Sequence, residues 1–127
     1  MYPADLKYTN DHEWLRSQND GHAEVGITDY AQQQLGDVVF VELPEVGRAV
    51  AQGEAFGTIE SVKAVSELFA PVAGEVTAVN TELQQHPEQM NANPHAAWII
   101  KLRIANAAET DTLLSSERYT EMVGEKG

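Results

Sequence analysis

Between Gly21 and Gly74 a glycine or proline stands at positions 21, 26, 36, 44, 47, 53, 57, 71 and 74. Glycine interrupts regular structure through its conformational freedom, proline through its fixed φ and missing N–H, so this half of the chain can hold only short elements. Most of the pieces are β-branched and read as strands. Residues 23–28 (AEVGIT) form one, and residues 38–43 (VVFVEL) predict a strand buried on both faces or nearly so. Residues 54–60 and 64–69 are separated only by Ser61-Val62-Lys63, which predicts a hairpin with Lys63 at or near its tip. Residues 75–80 and 98–104 (WIIKLRI for the latter) continue the series as strands.

Helices are appended to this β framework. Residues 29–35 read as about two helical turns, with Asp29 and Gln32 at capping-box spacing and Gly36 placed to end the helix. Residues 81–93 are polar and rich in Gln and Asn, a loop or a single helical turn. In residues 109–123, Leu113, Leu114, Tyr119 and Met122 recur at roughly helical spacing, with Ser115 or Ser116 as N-cap. No linker or low-complexity tract divides the 127 residues, which fit one domain, 1–127. The fold class is mainly β, a sandwich or flattened barrel with short helices.

Charge and composition narrow the function. Lys and Arg number 8 against 20 Asp and Glu, a net charge of −12 that excludes nucleic acid and anionic membrane surfaces as partners. With no cysteine there is no disulfide, thiolate metal site or cysteine nucleophile. No apolar run approaches a membrane span, and Met1-Tyr2-Pro3-Ala4-Asp5-Leu6 has neither the basic and apolar regions of a signal peptide nor the arginines of a transit sequence, which predicts a cytoplasmic protein. The four histidines, His12, His22, His86 and His95, share no ligand spacing, so no metal is expected. No phosphate-binding loop, nucleophile elbow or nucleophile–base pair is present, and spacing singles out no acid–base dyad among the carboxylates.

Lys63 is the residue with chemical promise. The chain has four lysines, and this one lies between Val62 and Ala64-Val65, an apolar setting for a hairpin tip. An unmodified lysine, with its pKa near ~10.4, is a poor nucleophile at neutral pH unless desolvated. It could instead be an acceptor that a dedicated ligase acylates, which would remove its charge and leave a long arm. An ordinary hairpin lysine is the alternative.

The stretch Gly57-Thr58-Ile59-Glu60-Ser61-Val62-Lys63-Ala64, with Ala70-Pro71-Val72-Ala73-Gly74-Glu75-Val76 beyond it, resembles the lipoyl-attachment region of glycine cleavage system H proteins. The similarity spans nearly the whole chain: His12-Glu13-Trp14, Gly26-Ile27-Thr28-Asp29-Tyr30-Ala31, the run from Leu35 to Pro44, and Trp98-Ile99-Ile100-Lys101 all match the family's pattern. Gly47, 16 residues before Lys63, and Gly74, 11 after it, stand at the flanking glycine positions of such lipoyl domains. A biotinyl carrier would show methionines beside the lysine, and the lipoyl domains of 2-oxoacid dehydrogenases lack the His-Glu-Trp opening. The chain departs from the family at Glu88-Gln89-Met90-Asn91, where Leu-Ile-Asn is usual, at 93–98, where a Pro-Tyr-Gly turn is usual, and at Phe69, where a smaller or polar residue is common.

The resemblance implies a barrel-sandwich hybrid of lipoyl-domain type and a carrier rather than an enzyme. Lys63 would bear lipoate as an amide. The carrier would take the aminomethyl group from glycine decarboxylase (P protein) to the aminomethyltransferase (T protein), and electrons to dihydrolipoyl dehydrogenase (L protein). A lipoate ligase or lipoyl/octanoyl transferase would modify it. Glu13 and Glu67 match residues that hold the charged arm, while Gly47, Gly74, Glu60 and Ser61 would give the hairpin the geometry the ligase meets. The expected state is a monomer in the bacterial cytoplasm, or in the mitochondrial matrix for a processed eukaryotic form. A lipoyl relay protein, an unmodified interaction module and a small carboxylate enzyme are the alternatives.

Overall fold

The computed structural model describes residues 2–18 and 20–124. Its strands are β1 (Lys7–Tyr8), β2 (Glu13–Ser17), β3 (His22–Ile27), β4 (Val38–Glu42), β5 (Ala49–Val50), β6 (Ala55–Ser61), β7 (Val65–Phe69), β8 (Gly74–Val79) and β9 (Ile100–Ile104). A six-stranded sheet runs β1-β2-β3-β9-β8-β5 and a three-stranded sheet runs β4-β6-β7, with antiparallel pairing throughout. The sheets stack on a shared core. Leu15, Val25, Val76, Ile100 and Leu102 come from the larger sheet and Val41, Phe56, Ile59 and Leu68 from the smaller, all buried. Each such side chain contributes ~1.5–3 kcal/mol on leaving water. The fold is therefore mainly β as expected, a flattened sandwich whose two sheets do not close into one continuous barrel.

A second apolar cluster lies on the other face of β2, built from Tyr2, Leu6, Tyr8, Trp14 and Tyr119. The β2 strand is consequently covered on both sides, Leu15 facing the main core and Trp14 the second cluster. Tyr119 belongs to α4 (Ser116–Val123), capped by Ser115, whose Oγ accepts from Arg118 N. The chain is bound there by a backbone exchange between Tyr8 and Leu114, at 2.9 and 2.8 Å.

Several local expectations are corrected. Helix α1 does span Asp29–Leu35 and ends at Gly36 with φ +78°, but its N-cap is Thr28, whose Oγ1 accepts from Ala31 N. Asp29 is instead the first helical residue, accepting from Gln32 Nε2 at 2.8 Å. Strand β4 is not buried on both faces, since Val39 and Phe40 are exposed around a bulge. Residues 81–93 contain two single turns, α2 (Glu82–Gln85) and α3 (Gln89–Ala92), and β9 starts at Ile100 rather than at Trp98. Leu113 and Leu114 precede α4, after a 3-10 turn at Ala107–Thr112, and Met122 is exposed.

The segments that depart from the family pattern are well anchored. Met90 is buried, and Asn91 Nδ2 donates to Gly36 O and Gln32 Oε1 while its Oδ1 accepts from Val38 N. Pro94 O accepts from Trp14 Nε1, and Asp29 N donates to His95 Nε2. These bonds hold α1 and the start of β4 to the rest of the molecule.

Candidate functional site

The hairpin β6–β7 carries Lys63 at its tip. Ser61 N donates to Ala64 O at 2.8 Å to close the turn, and Ser61 Oγ accepts from Ala64 N at 3.1 Å and Lys63 N at 3.3 Å. Val62 N donates to Asp37 O at 3.0 Å, tying the tip to the chain entering β4. The stem of Lys63 passes over Gly36, where an added Cβ would stand 3.4 Å from Lys63 Cε. A glycine in the left-handed region therefore both ends α1 and leaves room for the stem. Lys63 is exposed, and among the described residues its ammonium makes no ion pair.

Beside the tip a cleft of about 300 Å³ runs between the edge strand β7 and the wall made by α1 and the turn before β2. Asp11, His12, Glu13 and Leu35 line one side, Ala64 to Leu68 the other. Glu13 is 2 % exposed. Its Oε1 accepts from Thr9 Oγ1 at 2.8 Å and its Oε2 from Phe69 N at 3.2 Å. Burial pushes its carboxyl up to about 8, against the pull of those two hydrogen bonds. Glu13 is thus a buried acid at the cleft wall.

The turn presenting Glu13 is held by residues whose part in it the sequence did not show. His12 adopts φ +71°, the one positive value for a non-glycine among the described residues. Its Nδ1 lies 2.8 Å from Tyr119 Oη, its ring packs 4.7 Å from that of Tyr30, and burial lowers its pKa. Tyr119 Oη also lies 2.7 Å from Thr28 Oγ1. Thr9 Oγ1, besides bonding Glu13, accepts from the N–H groups of Asp11 and Glu13. Only the His-Glu-Trp motif signalled this region; Tyr119 and Thr28 reach it from far away in sequence.

The other predicted residues lie apart. Glu60 and Glu67 are exposed on the outer face of the small sheet, where paired rows run Phe40–Glu60–Val65 and Glu42–Thr58–Glu67. Glu67 also edges the cleft. Gly47 and Gly74 sit toward the opposite end of the hairpin. Gly47, at φ +98°, donates to Val76 O, and its neighbour Arg48 bonds Ala55 O at the hairpin base. Gly74 pairs with Val50, and a Cβ on it would meet Arg103 O. The structure therefore joins Lys63, Ser61, Glu13 and Glu67 around one tip and cleft, and leaves the two glycines in the frame. Among the described residues no three His, Cys, Asp or Glu side chains gather as a metal site, and no helix is long and apolar enough to cross a membrane.

Residues 6–126 match the family model described as glycine cleavage H-protein. The chain is 54% identical to the glycine cleavage system H protein of Koribacter versatilis (strain Ellin345), over 98% of this chain and 96% of that one. It is 56% identical to the protein of the same name from Azoarcus sp. (strain BH72), over 92% of each. A crystal structure of a glycine cleavage system H protein from Mycobacterium marinum superposes with a TM-score of 0.88 at 40% identity, covering 97% of this chain and 99% of that one.

Proposed function

This chain belongs to the glycine cleavage H-protein family, the lipoyl carriers of the glycine cleavage system, and we propose that Lys63 is the residue through which it carries lipoate. The observation that carries this reading is the hairpin tip itself. It offers a primary amine, exposed and free of ion pairs among the described residues, on a turn whose backbone is fixed by Ser61 and Asp37. Such a group fits an amide-linked acyl chain, because acylation neutralises the ammonium without breaking any contact the tip depends on. Lipoate there supplies a strained cyclic disulfide that can be reduced and reoxidised and can hold a one-carbon amine.

The remaining residues guard what the arm carries. Glu13, at the cleft wall beside the tip, is poised to lose its proton to an incoming amine and then to hold the resulting ammonium, a pairing that strengthens out of water. Glu67 offers a second, solvent-facing carboxylate at the cleft mouth. Thr9 and Phe69 N keep the Glu13 carboxylate aimed. The protein acts as a carrier, serving glycine decarboxylase, the aminomethyltransferase and dihydrolipoyl dehydrogenase in turn, after a lipoate ligase or lipoyl/octanoyl transferase has loaded it. The bacterial relatives support a cytoplasmic setting.

Intact mass tests this. The chain expressed with lipoate and an active ligase should gain one lipoyl increment, absent in Lys63→Ala. No increment, with a control domain modified, would make the chain an unmodified module; an increment surviving the substitution would place the arm on another lysine. Glycine–CO2 exchange with the decarboxylase then separates a shuttle from a relay, which would be lipoylated yet support no exchange.

A further inference from the structure

Residues 88–91 and 93–98, where the chain departs from the family pattern, grip helix α1 at both ends. At its C-terminal end Asn91 bonds Gly36 O, Gln32 Oε1 and Val38 N through an amide that does not titrate. At its N-terminal end the grip includes an imidazole: Asp29 N donates to His95 Nε2 at 3.1 Å. Asp29 is the first residue of the helix, so its N–H finds no acceptor within the helix and needs one from outside. Only a neutral imidazole can supply it, because the protonated ring carries N–H at both nitrogens and accepts nothing.

The surroundings of His95 favour the neutral form. The ring is partly buried, edge-on to Tyr2 at 5.7 Å between centroids, and burial pulls its pKa below the ordinary histidine range. Of the charged groups that reach it, the Asp29 carboxylate pulls the pKa back up, while Arg16 and the chain's amino group push it down. Arg16 is fixed in place, its Nη2 donating to His95 O at 2.8 Å. The Asp29 carboxylate is already engaged, accepting from Gln32 Nε2 and Gln33 Nε2. A cation at position 95 would therefore face a guanidinium and the positive end of α1 together.

We infer that neutral His95 is a positioning residue for the cleft beside Lys63, a latch that seats the first turn of α1, and that its protonation loosens that turn while Asn91 holds the far end. The consequence for the arm rests on the reading of Lys63 as its attachment. Ala31, Gln34 and Leu35 of α1 line the cleft, and Gly36, beneath the Lys63 stem, lies at the end that stays fixed. Loosening the first turn widens the cleft around the cargo without moving the base of the arm. Thr28 stays tied to His12 O and Tyr119 Oη, so the helix shifts rather than unfolds. The latch is closed above the ordinary histidine range and opens as pH falls through the lowered folded value. His12, the other histidine of this wall, bonds Tyr119 Oη through Nδ1 and is also lowered by burial.

Amide hydrogen exchange of the unmodified full chain from about pH 8 to 5, followed by NMR beside the His95 ring protons, tests the latch apart from any arm. His95→Gln keeps an acceptor that does not titrate, and His95→Phe keeps a ring and removes the acceptor; circular dichroism checks that each folds. In the wild type, protection of the Asp29 amide should fall about 10-fold with the midpoint of the His95 ring. In both variants protection should be independent of pH, and at pH 8 it should be lower in His95→Phe than in wild type. A ring that stays neutral to pH 5, or equal protection of wild type and His95→Phe at pH 8, would overturn the latch. So would a fall that survives in either variant, which would give the transition to His12 or a carboxylate. For the cleft, the aminomethyl-loaded carrier at pH 8 should lose its cargo to solution about 3- to 10-fold faster as His95→Phe than as wild type, with His95→Gln between them or like wild type. Equal loss from a variant whose Asp29 amide is unprotected would overturn the step from latch to cleft. Failure of the wild type to accept lipoate is a different result, because it removes the reading of Lys63 and leaves the exchange measurement standing.

Discussion

The phenolic oxygen of Tyr119 lies 2.8 Å from Nδ1 of His12, joining the last helix to the turn that presents Glu13. The same oxygen lies 2.7 Å from Thr28 Oγ1, the cap of α1. One buried hydroxyl thereby holds both elements that form a single wall of the cleft, and His12 keeps a left-handed backbone between them.

Tyr119→Phe removes that oxygen and leaves His12 Nδ1 without the partner it has in the wild type. The expected cost is about 1–3 kcal/mol in urea unfolding, the range for a buried polar group losing its hydrogen bond. Tyr8→Phe is the comparison, since Tyr8 stacks on Tyr119 at 4.7 Å and its hydroxyl donates to Pro3 O, which also receives Leu6 N. It should cost less. Equal losses would mean that the bridge from His12 through Tyr119 to Thr28 is worth no more than the single bond from the Tyr8 hydroxyl to Pro3 O.

Glu13 makes stability depend on pH in a particular direction. Its carboxyl titrates near 8 in the folded chain and near 4.5 unfolded. Between those values the native state binds more protons than the unfolded state, so this group's contribution falls as pH rises. It is fully present below pH 4.5 and lost as pH passes about 8. Glu13→Gln removes the titration. Unfolding measured at pH 5 and at pH 8.5 should show wild type losing ground to the variant by a few kcal/mol, about 1.4 for each pH unit between the folded and unfolded titrations. A constant difference across that range would show that Glu13 is not desolvated. Other carboxylates cancel in the comparison.

The hairpin and Lys63 could be read directly because glycine and proline fix where each strand must stop, and a three-residue gap between strands admits little besides a turn. Helix α1 was legible for the same reason, although Thr28 looked like the end of a strand and hid its role as cap. What the sequence concealed were consequences of distant packing. Glu13, Trp14 and Leu15 are consecutive yet all buried, because α4 and the N-terminal segment cover one face of β2 while the small sheet covers the other. Conversely, VVFVEL looks like a core strand, yet Phe40 is exposed because, among the described residues, no layer lies outside β4-β6-β7. A one-dimensional pattern reports periodicity, whereas these burials depend on what lies opposite.

Gly47 and Gly74 answer to different physical demands and should respond differently to substitution. At Gly74 an added Cβ would stand 2.5 Å from Arg103 O, so Gly74→Ala must push β8 from β9 at a cost of about 1–3 kcal/mol. At Gly47 the space is open, and the demand is φ +98°. Gly47→Ala should cost about 1 kcal/mol, and Gly47→Asn less, because Asn tolerates positive φ better. Gly74→Asn gains nothing from that tolerance and should be at least as damaging as Gly74→Ala. Denaturant midpoints of the four variants decide it; a Gly47→Asn no better than Gly47→Ala would show that φ is not the constraint there.

The charge of −12 gives the carrier a long-range attraction to basic enzyme surfaces, which accelerates encounter without making the complex tight. On the proposed reading the carrier serves several enzymes in turn, and contacts of that kind let it leave each one. Ions screen such attraction over about 10 Å at 0.1 M salt, so aminomethyl transfer from the decarboxylase should slow roughly 3- to 10-fold between 50 and 500 mM NaCl, mainly through kcat/KM. The outward rows carry Glu42, Glu60 and Glu67, and Glu42→Gln/Glu60→Gln/Glu67→Gln should flatten that dependence while also lowering the low-salt rate. A steep dependence that survives the triple substitution would move the steering charge to other faces of the molecule. A rate indifferent to salt in the wild type would leave the acidic surface with solubility as its only role.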